Sequence, residues 1–195
     1  RYVLPRISDI LETLRQHKYF VKADFFRAFW QVGLKEGISR EITAFQTYDN
    51  AFEYNVLPFG ICVNPGVFQR RIDGVLREYR YKKAIAYIDD VIIFGKTWEE
   101  FIQNVRDVLT RLWETNFILS PKKCSFGYQQ ISVFGFDIGI EGFRNEQKRI
   151  KTIVELPIPR TVKQCRGLVG MVNFVKNFIP DLATLLIIDQ TKITK

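Results

Sequence analysis

The stretch that most constrains this chain is Tyr87-Ile88-Asp89-Asp90. A β-branched and aromatic run leads into it, and Val91-Ile92-Ile93-Phe94-Gly95 follows. Two apolar runs separated by a pair of acids predict a β-hairpin that turns at the carboxylates. The turn lacks Asn-Gly or Asp-Gly chemistry, so the acids read as chosen for charge rather than for turn-making. Adjacent aspartates repel, and burying them requires hydrogen bonds or cations nearby. Hard divalent cations such as Mg2+ take carboxylate oxygens and keep other positions for water and phosphate. Against this stands the solvated acidic turn, the commoner fate of an isolated Asp-Asp pair.

Composition narrows the class of chain. With 195 residues, 47% hydrophobic and 26% charged, the chain can bury one sizeable core or two small ones and is not of the disordered class. No apolar run reaches the length of a membrane span, and the N-terminus does not read as a signal peptide, so an intracellular, cytoplasmic protein is expected, with no membrane partner. Cys62, Cys124 and Cys165 are far apart, without zinc or disulfide spacing, and read as structural thiols. A net charge of +8 and a pI near 9.4 favour a polyanionic partner.

Ahead of the hairpin, the chain opens at Arg1-Tyr2-Val3-Leu4-Pro5 with neither methionine nor cap, which reads as cut from a longer polypeptide. Ile7, Ile10, Leu11 and Leu14 have helical spacing, closed by His17 and Lys18, with His17 expected in solvent. Tyr19 to Asp24 reads as a buried strand ending in an acid, followed by the aromatic run Phe25-Phe26-Arg27-Ala28-Phe29-Trp30-Gln31. Residues 41–46 and 52–56 read as two strands turning at Tyr48-Asp49-Asn50. Asn64-Pro65 is expected to cap a helix through Val67, Phe68, Ile72, Val75 and Leu76, with Gln69, Arg70, Arg71 and Arg77 on polar faces as candidate nucleic-acid contacts.

Beyond the hairpin, Thr97 should cap a long amphipathic helix that ends at Asn116. Short strands are expected at residues 117–119 and 131–138, with a tight turn at Glu141-Gly142. Two helical patterns, 146–155 and 162–178, are separated by Pro157 and Pro159, a subdomain boundary. The order strand-acid, helix, acidic hairpin, helix, strand fits an α+β fold in which two helices back an antiparallel sheet. That packing brings Asp24 to Asp89 and Asp90, and three carboxylates at a sheet edge suit a two-metal site for in-line phosphoryl displacement.

At this point the chain resembles the reverse transcriptases of gypsy-like long-terminal-repeat retrotransposons, relatives of the retroviral enzymes. The resemblance runs from Tyr2-Val3-Leu4-Pro5-Arg6-Ile7 to Phe178-Ile179-Pro180 and rests on many marks in the same order. They are Lys22-Ala23-Asp24, Leu57-Pro58-Phe59-Gly60, Asn64-Pro65, Phe68-Gln69, Tyr87-Ile88-Asp89-Asp90, Pro121-Lys122-Lys123-Cys124, Val133-Phe134-Gly135, and Gly167-Leu168-Val169-Gly170 with Asn173. It implies a polymerase palm with partial fingers over residues 1–140 and the start of a thumb or connection region over 141–195. Asp24, Asp89 and Asp90 would bind two Mg2+ ions, with Mn2+ as a substitute, and the Phe25 carbonyl would add a ligand.

The resemblance further implies that Phe29 gates the sugar: a ring against C2′ leaves no room for a 2′-hydroxyl, and a core Phe is the alternative. Tyr87 would pack near the primer terminus, Phe59, Gly60 and Gln69 would touch nucleotide and template, and Phe134 and Gly135 would form part of the primer grip. Lys123 matches a lysine that protonates pyrophosphate, with an exposed structural lysine as the alternative. Implied partners are an RNA or DNA template, a DNA or tRNA primer and dNTPs, with RNase H and integrase regions elsewhere in a parent polyprotein. The sequence departs from the family at Trp30, at Phe25-Phe26-Arg27-Ala28 and at Gly66, none of which removes a metal ligand. Two competing readings are an inactive, domesticated nucleic-acid-binding derivative and a nucleotidyl cyclase, the latter lacking its Gly-Gly-acidic turn.

Overall fold

The computed structural model describes residues 2–175. The elements of the first part are α1 (Ile7–Leu14), β1 (Tyr19–Asp24), α2 (Ile38–Glu41), β2 (Phe45–Gln46), β3 (Ala51–Phe52), α3 (Asn64–Val75), β4 (Ala84–Tyr87), β5 (Asp90–Gly95) and α4 (Trp98–Glu114). After these come β6 (Ser125–Tyr128), β7 (Gln130–Val133), β8 (Phe136–Gly139), β9 (Gly142–Asn145), α5 (Gln147–Val154) and α6 (Val162–Phe174). The helix expected to run on to Phe178, and the Phe178-Ile179-Pro180 mark, lie partly or wholly outside the described residues. The fold is the expected mixture of helices and antiparallel sheet, and the chain divides into two compact units: residues 1–134 with 138–143, and residues 135–137 with 144–195.

The first unit is built on a four-stranded sheet of order β4-β5-β1-β6. β1 runs antiparallel to β5, with Val21 opposite Ile93, Ala23 opposite Val91 and Asp24 opposite Asp90. Because side chains alternate along a strand, this register sorts them cleanly. Val21, Ala23, Ala84, Ala86, Val91 and Ile93 form one face and share a core with Phe68, Ile72 and Leu76 of α3 and Phe101, Val108 and Leu112 of α4. At its centre Phe68 is fully buried, edge-on to Phe25 and Phe117. Burying such a ring contributes about 2 kcal/mol.

The other face grades from apolar to charged. Phe20 and Phe94 are fully buried at one end, and Lys22, Asp24, Asp90 and Tyr87 occupy the other. His17 corrects the expectation of a solvated residue: it is buried, its ring lies 4.4 Å from that of Phe94, and Nδ1 donates to the Thr13 carbonyl at 2.9 Å. Burial pushes its pKa below the usual imidazole value, the Thr13 carbonyl opposing. At the α4 end of the sheet, Gly95 passes so close to α4 that a Cβ there would sit 2.6 Å from the Phe101 Cα.

Other local expectations divide. β1, α5 and the Thr97 cap agree, Thr97 Oγ1 accepting the Glu100 N–H at 3.2 Å, and Asn116 stops α4 with φ +59°. Residues 41–46 and 52–56 give only the two-residue strands β2 and β3, with Ile38–Glu41 helical. Asn64 is the first residue of α3 and not its cap: its side-chain amide donates to the Pro58 carbonyl, tying the Leu57-Pro58-Phe59-Gly60 loop to the helix. The strand expected over 131–138 is broken by a turn at Phe134-Gly135, residues 117–119 contribute a single bridge, and β6 was not anticipated. The three cysteines form no disulfide.

In the second unit α5 and α6 pack together, and Thr161 opens α6 with a reciprocal capping box: its hydroxyl accepts the Gln164 N–H, and the Gln164 side chain accepts the Thr161 N–H. Among the described residues no helix is long and apolar enough to cross a membrane.

Candidate active site

Strand register alone brings the acids together. Asp24 and Asp90 are directly opposite in an antiparallel pair, which sets their Cα atoms about 5 Å apart. Tyr87 pairs with Asp90, leaving Ile88 and Asp89 as a two-residue turn. The Phe25 N–H donates to the Asp89 carbonyl at 2.8 Å, so the main chain stitches the end of β1 to that turn. Asp89 is exposed, while Asp24 and Asp90 are half-buried on the sheet face that α3 and α4 leave uncovered.

Two lysines offset the charge of Asp24 and Asp90. Lys123 Nζ lies 3.2 and 3.3 Å from the two oxygens of Asp24, and Lys22 Nζ lies 3.5 Å from Asp90 Oδ2. The first depends on the 118–123 segment running beside β1: Phe26 N–H donates to the Ile118 carbonyl at 2.9 Å and Ser120 N–H to the Asp24 carbonyl at 2.8 Å. Burial lifts the Asp90 carboxyl above the usual carboxylate range; Lys22 opposes the shift, and Asp89 and Asp24 add to it. The sequence reading gave Lys22 no role. Parity along the strand was the available signal, since residues 22 and 24 share a face.

Among the described residues, no three acidic, cysteine or histidine side chains close around a single point. The donor set nonetheless suits a hard dication: paired carboxylate oxygens on a partly open sheet face, with ammonium groups already marking where positive charge is favourable.

Several other expected residues come together. Phe29, in the short 3-10 turn Ala28–Gln31, is half-buried, with its ring 5.4 Å from Phe59 and 5.9 Å from Phe68. Phe59 is 61% exposed and also meets Trp30 at 5.9 Å, and Gly60 supports the loop with φ +88°. Tyr87 meets Phe134 edge-to-face at 4.7 Å. Both Phe134 (φ +54°) and Gly135 (φ +80°) are left-handed.

Gln69 corrects the expectation of a residue on a polar helix face. It is fully buried, and its Oε1 accepts the Ile88 N–H at 2.7 Å while Nε2 donates to the Ala86 carbonyl at 2.9 Å. A β-branched residue at φ +54° is strained by about 1–2 kcal/mol, so Ile88 is held there by this amide. Arg70 and Arg71 are exposed on α3, the helix that covers the opposite face of the sheet from Asp24 and Asp90, and Arg77, expected on that helix, is exposed in the turn beyond its last residue, Val75.

Comparison with known proteins shows the family and the fold. The family described as reverse transcriptase (RNA-dependent DNA polymerase) matches residues 1–138. The chain is 34% identical over 182 residues to the retrovirus-related Pol polyprotein from transposon opus of Drosophila melanogaster, covering 93% of this chain and 18% of that protein. It is 32% identical over 184 residues to the transposon Tf2-3 polyprotein of Schizosaccharomyces pombe, covering 94% and 14%. The chain therefore spans less than a fifth of these relatives. Among solved structures, a foamy viral protease-reverse transcriptase in complex with double-stranded DNA superposes with a TM-score of 0.85 at 24% identity, covering 95% of this chain and 33% of that one. The same viral protein in complex with an RNA/DNA hybrid gives 0.80, also at 24% identity, over 94% and 25%. These likenesses show the fold.

Proposed function

The chain belongs to the reverse transcriptase family, and from that premise we propose that it is the polymerase core of a gypsy-like long-terminal-repeat retrotransposon, an RNA-directed DNA polymerase extending a primer 3′-hydroxyl with dNTPs. The observation that carries the reading is Asp24 directly opposite Asp90, with Asp89 in the adjoining turn, on the sheet face free of α3 and α4. Residues 1–140 correspond to palm with partial fingers and 141–195 to the start of the thumb or connection. The partners are an RNA or DNA template and a DNA or tRNA primer, with RNase H and integrase regions in the parent polyprotein. The setting is cytoplasmic.

Asp24, Asp89 and Asp90, with the Phe25 carbonyl, would hold two divalent ions, Mg2+ or in its place Mn2+. Bound there, such ions activate the 3′-hydroxyl and offset charge on the triphosphate and pyrophosphate. The chain's own groups orient the reactants. The Phe29 ring, braced by Phe59 and Phe68, forms a rigid wall under the sugar and excludes a 2′-hydroxyl. Tyr87 against Phe134 supplies an apolar rest for the primer end, and Phe59 and Gly60 border the incoming base. Lys22 and Lys123 balance the carboxylates, and Lys123, the more exposed, is placed to give a proton to pyrophosphate.

Primer extension on poly-A with oligo-dT, dTTP and Mg2+ tests this reading. Extension by the chain that disappears in Asp89→Asn, with template affinity retained within about threefold, is the expected outcome. Template binding without extension, both in this chain and in one prolonged upstream through complete fingers, would overturn it in favour of a binding-only derivative.

A further inference from the structure

The amide of Gln69 can support the strained turn in only one of its two orientations. Its Oε1 must face the Ile88 N–H, because an NH2 group there would set donor against donor. The Ala86 carbonyl selects that orientation from one side. From the other, Nε2 donates at 2.9 Å to Oδ1 of Asp73, one helical turn further along α3. An ionised carboxylate only accepts, so Asp73 accepts the NH2 and excludes the flipped amide.

Asp73 is itself fixed from outside the helix. Its Oδ2 accepts the Tyr2 hydroxyl at 2.5 Å and lies 3.4 Å from Arg80 Nη1, with the Asp73 side chain only 6% exposed. The Tyr2 phenol is raised above its ordinary pKa chiefly by this hydrogen bond, then by burial and by the carboxylate charge, so Tyr2 keeps its proton and is the donor in this bond. Every polar atom of the relay from Tyr2 through Asp73 and Gln69 to the Ile88 N–H thus has a partner, as a buried network requires.

We propose that Asp73, held by Tyr2 and Arg80, is a positioning residue that locks the Gln69 amide and through it the backbone of the Ile88-Asp89 turn. The N-terminal segment around Tyr2 is thereby coupled to the geometry of the acids, although Tyr2 touches none of them. The catalytic consequence rests on the polymerase reading above, whereas the backbone consequence does not.

Hydrogen exchange at the Ile88 amide in the 195-residue chain, read beside primer extension, tests it. Asp73→Ala should speed Ile88 exchange about tenfold, the loss of roughly one net hydrogen bond, with the rest of β4 and β5 unchanged. The rate constant for extension should fall by about the same factor, while KM for primer-template stays within about twofold. Asp73→Asn retains one acceptor oxygen for Gln69 and should return both readings towards wild type. Should Asp73→Ala fail to fold, Tyr2→Phe decides by the same local reading, with a rise of about threefold expected. Unchanged Ile88 exchange, or a uniform rise across both strands, overturns the proposal. A wild-type chain without extension would sink the polymerase reading and leave the exchange result to judge this one.

Discussion

Two hairpin turns in this protein hold bulky residues in the left-handed region, and they do it by different means. At Phe134-Gly135 both residues have positive φ, +54° and +80°, the pattern of a type I′ turn, and glycine takes the second place at no steric cost. At Ile88-Asp89 there is no glycine, and Ile88 stands at φ +54° on a side-chain amide that reaches it from nineteen residues earlier. The first turn is made by its own residues. The second is imposed by α3, and it is the one that carries an acid of the cluster. Strain held by distant structure is a recurring feature of functional sites, and here the hydrogen bonds that hold it are identified.

The largest effect should come from removing the external support. Gln69→Ala strands the Ile88 N–H, the Ala86 carbonyl and one oxygen of Asp73, and should cost about 3 kcal/mol in thermal or urea unfolding. A loss below about 1 kcal/mol would mean that the turn holds itself and the contrast is false. Next in size, Gly135→Ala should cost about 2 kcal/mol, since alanine at φ +80° is strained and its Cβ would meet the Arg149 guanidinium. Equal stability for that variant would remove the local explanation of the Phe134-Gly135 turn. The smallest change is Ile88→Gly, where relief of backbone strain offsets the entropy of glycine and stability should move by less than about 1 kcal/mol. A loss of several kcal/mol there would show that the isoleucine side chain, and not the backbone, is what the site needs.

Register explains why so much of the site could be read in advance. Asp24 ends one apolar strand and Asp90 begins another, so pairing the two runs antiparallel over their full length sets the two acids opposite each other. The Phe29–Phe59 and Tyr87–Phe134 pairs join residues that the sequence singled out separately. Gln69 was misread because a glutamine beside three arginine positions on a helix looks solvated. Its burial depends on the strand that α3 packs against, which helical spacing does not reveal. His17 failed for the same reason, since its partner Phe94 is 77 residues away.

The sequence by itself determined the helices other than α2, the strands that carry Asp24 and Asp90, the β4-β5 hairpin and the reverse transcriptase family, because period, caps and ordered motifs are local properties of the chain. Tertiary structure alone decided which cations sit on the acids, which buried amide holds Ile88 and which carboxylate orients that amide. Asp73 lies one helical turn from Gln69, but the other contacts, including the Tyr2 bond that fixes Asp73, join residues from 19 to 99 positions apart. Hydrogen bonds and ion pairs depend on distances of a few tenths of an ångström, and only the packed sheet and its helices fix distances that finely.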